Sequence, residues 1–147
     1  SAQDINQATE NYNNGAMELD MGNKETALDY FQTALTQAEA LGEEGAMIVE
    51  NCKMTIPILM ISVANDLIEA QNYDAAIEWY TKAEEAANLY GDAAKAADAA
   101  AKKSQLLMKK ASELVKAKDY ANAIGADKYA KDAMETVRYA EKIISEK

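Results

Sequence analysis

An all-α fold follows from three features of the sequence. Apolar residues recur at spacings of three and four, as in "NYDAAIEWYTKAEEAA" at 72–87, where Ala76, Ala83 and Ala87 share a face with Ile77 and Tyr80. Six Gly and one Pro leave few breaks in 147 residues. No stretch shows the period-two alternation of β-branched residues that marks a half-buried strand. At 49% hydrophobic, a chain of this length can bury a core, and it reads as a single helical domain over 1–147.

Six helices are expected, each bounded by a polar or glycine hinge. The first, about 4–21, stops at Gly22-Asn23, and the second, about 24–41, stops at Gly42. Gly45 opens a third, about 45–70, apolar nearly all round from Ile56 to Leu67; it should therefore be central, with neighbours on most faces, and either one helix kinked at Pro57 or two shorter helices meeting at Ile56. Gln71-Asn72 separates it from a fourth at about 73–90, and Gly91-Asp92 follows. The alanine-rich stretch 92–117 is the fifth, and a hinge at Lys118-Asp119 sets off the sixth, 120–145. Short links make these three helical hairpins, about 4–41, 45–90 and 92–145.

The chain also resembles itself. "GNKETALDYFQTAL" at 22–35 aligns with "QNYDAAIEWYTKAE" at 71–84 and "KDYANAIGADKYAK" at 118–131, matching Ala27-Leu28, Ala76-Ile77 and Ala123-Ile124. Asp127 stands at the third copy's aromatic position.

Composition excludes several functions. Without His, and with Cys52 alone, there is no zinc spacing, internal disulfide or Cys–His dyad, and no phosphate-binding Gly loop occurs. The chain is expected to be non-catalytic and to need no cofactor. Residues 1–50 carry one Lys against ten acids, 51–100 three against eight, and 101–147 eleven bases against seven, for a net −10. That balance argues against nucleic-acid binding. The run "IPILMISVA" at 56–64 is too short to cross a bilayer, so no membrane insertion is expected. The start "SAQD", which has no Met, resembles what signal-peptide cleavage leaves and favours a periplasmic or secreted bacterial protein over a cytoplasmic one.

In its small–aromatic–small pattern the chain resembles the tetratricopeptide repeat family. The second copy carries Ala64, Gln71-Asn72, Tyr73, Ala76-Ile77, Tyr80 and Ala83; the first has Gly15, Gly22, Ala27-Leu28, Phe31 and Ala34; the third has Ala111, Tyr120, Ala123-Ile124 and Ala130. The copies lie 49 and 47 residues apart, longer than that family's repeat, so elongated helices are expected. The resemblance implies a short right-handed superhelix whose first helices line a concave groove for a partner peptide or helix. Its lining would be Tyr12, Ala16, Leu19 and Asp20, then Ile58, Ile61, Asn65, Ile68 and Glu69, then Gln105, Met108, Ser112, Val115 and Lys116. Little positive charge precedes Lys116, so the carboxylate clamp of some family members is not carried over.

Two alternatives stay open. Apolar residues at helical spacing are most often core, which would make Ile58, Ile61, Ile68 and Met108 interior and leave Tyr12, Leu19 and Asn65 as the binding candidates. The charge split also permits a spacer or self-assembly module, the acidic first hairpins of one copy meeting the basic last hairpin of another. Glu43-Glu44 and Glu84-Glu85 read as solvated faces, since adjacent helical residues point apart.

Overall fold

The computed structural model describes residues 1–146, apart from the side chains of Ala126, Asp127 and Tyr129. The reading of Asp127 at an aromatic position therefore lies outside the described residues, as does Lys147. The helices are α1 (Ala2–Asp20), α2 (Lys24–Glu39), α3 (Ala46–Glu69), α4 (Tyr73–Leu89), α5 (Ala93–Ala123) and α6 (Ala126–Ser145), with a 3₁₀ turn at Gly42–Gly45 between α2 and α3. There are no strands among the described residues. The chain divides into two compact units, Ser1–Leu106 and Leu107–Lys147, with the boundary inside α5.

In Ser1–Leu106, α1 packs on α2, α2 on α3 and α3 on α4. Alanine permits this closeness. Ala27, Ala34 and Ala38 of α2 and Ala76, Ala83 and Ala87 of α4 are fully buried, and the spaces between them are filled by Phe31 and Tyr80. α3 contributes Cys52, Ile56, Pro57, Leu59, Met60, Val63 and Ala64 to the same core, and the first part of α5 adds Ala99 and Leu106. Lys103 of α5 reaches the half-buried Glu84 of α4 at 3.0 Å. By length and hydropathy Gly42–Glu69 could cross a membrane, which the nine-residue apolar run did not suggest. Its central residues, among them Ile56, Leu59, Met60 and Val63, belong to the core of this unit.

Pro57 sits inside one unbroken α3. It supplies no N–H to the carbonyl of Lys53, so a ladder bond is missing there. At Gly45 a β-carbon would run into the backbone carbonyl of Ala38, so only glycine lets the 3₁₀ turn cross the end of α2.

The third hinge falls elsewhere than expected. α5 continues through Lys118-Asp119 to Ala123 because nothing from Ala111 to Ala123 breaks a helix; the chain turns at Gly125, whose φ is 87°. α6 accordingly starts at Ala126 and not at 120. Ala123-Ile124 lies at a helix end, unlike Ala27-Leu28 and Ala76-Ile77, which lie within α2 and α4.

The two turns within Ser1–Leu106 that join paired helices share one geometry but not one residue. After α1, Gly22 adopts φ 84° and the Asn23 N–H donates to Glu18 O at 2.9 Å. After α3, Gln71 adopts φ 61° and the Asn72 N–H donates to Leu67 O at 2.8 Å. A side chain in this left-handed region costs about 1–2 kcal/mol, partly offset in glycine by its larger unfolded-state entropy. Gln71→Gly is expected to raise stability by about 0.5–1 kcal/mol in a denaturant titration, with no gain for Gln71→Ala. Ala83→Leu, which overfills a fully buried crossing, is expected to lower it by about 1–3 kcal/mol.

Candidate partner-binding face

The expected groove residues in Ser1–Leu106 come from α1 and α3, and burial sorts them. On α1, Tyr12 is half-buried, with its ring centroid 5.4 Å from that of Phe31 and the planes inclined at 52°. One turn later the Phe31 ring would stand 2.8 Å from a β-carbon at Gly15, so the glycine makes room for the pair. Leu19 is half-buried against the same core, Ala16 is half-buried and Asp20 is exposed. Tyr12 is thus at once partly open to solvent and a support for Phe31.

On α3, Ile61 is core at 6% exposed and Ile68 is half-buried against the core, whereas Ile58 is 45% exposed. The core alternative therefore applies to Ile61 and not to Ile58. Asn65 is exposed, yet its amide is fixed: Oδ1 accepts the Tyr80 hydroxyl proton at 2.6 Å, which leaves the Nδ2 group to donate outward. Tyr80 is a core ring whose phenol is harder to ionise than usual, because burial and then the nearby Asp98 carboxylate disfavour the anion.

A cleft of about 250 Å³ runs beside Asn65, lined by Ile58, Ile61, Ser62 and Asn65 of α3 and Lys95, Asp98 and Lys102 of α5. Lys102 pairs with Asp98 at 3.1 Å. The three charged residues were absent from the sequence-based lining, although Asp98 and Lys102 form a readable i,i+4 pair. Of the remaining expected residues, Glu69 and Gln105 are exposed in Ser1–Leu106. Met108, Ser112, Val115 and Lys116 belong to Leu107–Lys147 and are all exposed there; the cleft is drawn from the first unit alone.

A second depression, of about 560 Å³, lies between α2 and α4 and includes Leu28, Met60, Trp79 and Tyr90 with Glu25, Asp29 and Glu85 at its edge. Lys82 Nζ stands 4.2 Å from the centre of the Trp79 ring, covering much of that aromatic with this chain's own cation.

No group of residues suited to hold a metal ion occurs among the described residues. Cys52, buried in α3, has its thiol pushed up to about 11 by burial, so it is neutral at physiological pH and a poor nucleophile. No family model, no curated protein and no solved structure matches this chain.

The folded state prefers the neutral thiol, so Cys52 leaves stability unchanged below the unfolded value near 9 and lowers it as pH rises from there toward about 11. Labelling by a thiol reagent at pH 8 is expected to be slow in the native protein and rapid once denaturant unfolds it.

Proposed function

We propose that this chain is a non-catalytic binding scaffold that takes a partner peptide or helix on the face formed by α1, α3 and the first part of α5, as the tetratricopeptide-like pattern implies. The observation that carries this reading is the fixed amide of Asn65. With its oxygen held by Tyr80, it offers a preset donor beside the exposed Ile58 and next to a cleft. Such a donor suits a backbone carbonyl of an extended or helical segment, and Ile58, with the rims of Tyr12, Leu19 and Ile68, supplies apolar contact on either side. Lys95 and Lys102 against Asp98 add a polar wall that can read charge on the bound segment.

The second reading, a spacer or self-assembly module, draws on the division of charge: six Lys against 18 acids in Ser1–Leu106, net −12, and nine bases against seven acids in Leu107–Lys147, net +2. An electrostatic head-to-tail contact should dissolve in salt, whereas binding through Asn65 should tolerate it.

Asn65→Asp tests the first reading, because the carboxylate can still accept from Tyr80 but no longer donates outward. Selection of peptides from a displayed library on the native protein is expected to yield binders. Their affinity should fall on the order of tenfold in the variant, with circular dichroism and melting close to the original. Equal affinity for both proteins would remove Asn65 from the site.

A further inference from the structure

We propose that the apolar face formed by the second half of α5 together with α6 docks on the same face of a second copy of this chain. The reason is a missing core. From Leu107 to Glu146 no described residue is buried, and Ala121 alone is half-buried. Eleven large apolar side chains there are 41–72% exposed, among them Leu114, Val115, Met134, Val137 and Ile144. Five of them, Leu107, Leu114, Met134, Val137 and Ile144, fall on one side of their helices; at roughly 100 Å² each they present on the order of 500 Å², near the apolar part of what each partner contributes to a stable interface. Neither helix hides the other's apolar residues, and two helices without a shared core do not hold together in water.

The pattern of these residues fits helix packing. On α6, Ala130, Ala133, Val137, Ala140 and Ile144 follow one another at steps of three and four, a continuous seam with small residues at the points of closest approach. On α5, Leu107, Ala111, Leu114 and Ala121 keep the same register, interrupted by Lys118. Two such helix pairs brought face to face can form a four-helix bundle.

Charge and apolar area select the occupant. The surface of Ser1–Leu106 carries net −12 and would repel its like, and its exposed large apolar residues, such as Met21, Met54 and Leu89, are scattered over several elements. Leu107–Lys147 is nearly balanced at nine bases to seven acids, so two copies meet there with little repulsion. An apolar face of this size finds its match on a second copy in this same unit, which makes the contact isologous and closed at two.

Sedimentation velocity on the full chain, from low to high micromolar concentration and at low and molar salt, tests this. A dimer is expected that persists or tightens in high salt, since apolar burial is not screened. Val137→Glu should weaken dimerisation on the order of a hundredfold, because each interface would then bury two carboxylates, while Lys131→Glu on the polar side of α6 should leave the dimer intact. Helix content by circular dichroism accompanies each variant, and Leu114→Glu on α5 replaces Val137→Glu if the latter loses structure. A monomer throughout, a mass that grows past two and dissolves in salt, or a dimer unaffected by Val137→Glu and Leu114→Glu would each overturn the proposal.

Discussion

Everything in Ser1–Leu106 depends on how closely α2 and α4 can approach their neighbours, and alanine sets that distance. Six alanines at zero exposure occupy the crossings, and none can be enlarged without moving a helix. The same economy of space decides the glycines, since Gly15 yields to Phe31 and Gly45 to the end of α2. Between these close backbones the largest fully buried side chains are Tyr80, Phe31 and Ile56. A core built this way resists rearrangement, and its surface inherits that rigidity.

The proposed binding face is one expression of this inheritance. Tyr80 is a core ring whose hydroxyl emerges beside Asn65, so the orientation of an exposed amide is dictated from the interior. Tyr12 does the reverse, lending part of its ring to support Phe31 while its edge stays at the rim. Neither residue can be assigned wholly to stability or wholly to recognition. A variant at either position must be judged by both readouts, because a change that loosens the core also loosens the donor it holds.

The sequence disclosed helix class and most boundaries because alanine spacing and hinge chemistry are local. Its readings of α2 and α4 agree with the observed helices to within two residues at each end. Where local signals were equivocal, at Lys118-Asp119, the polar dipeptide looked like the hinges before it, but with no glycine there the helix ran on to Gly125. Gln71 shows the opposite: a turn forms on a residue that pays a conformational penalty, since the packing of α3 on α4 outweighs it. The lining of the face was legible in part. Asn65 stands out as a polar residue near the end of an apolar run, but its partner Tyr80 and the opposing Lys95, Asp98 and Lys102 depend on how α3, α4 and α5 come together, which no local pattern encodes.

A change in character near Leu106 separates the two units physically. Before it, the large apolar residues of α3 share one core with the buried alanines of α2 and α4, and the exposed large apolar residues are few and dispersed. After it, large apolar side chains recur along both helices, yet the described ones remain open to solvent. Helix propensity can maintain such segments, because Ala, Lys and Glu dominate them, but propensity alone does not select apolar groups at steps of three and four. That periodicity costs solubility unless something covers it. Its presence on α6, where nothing within the described unit receives it, points to packing completed by another chain.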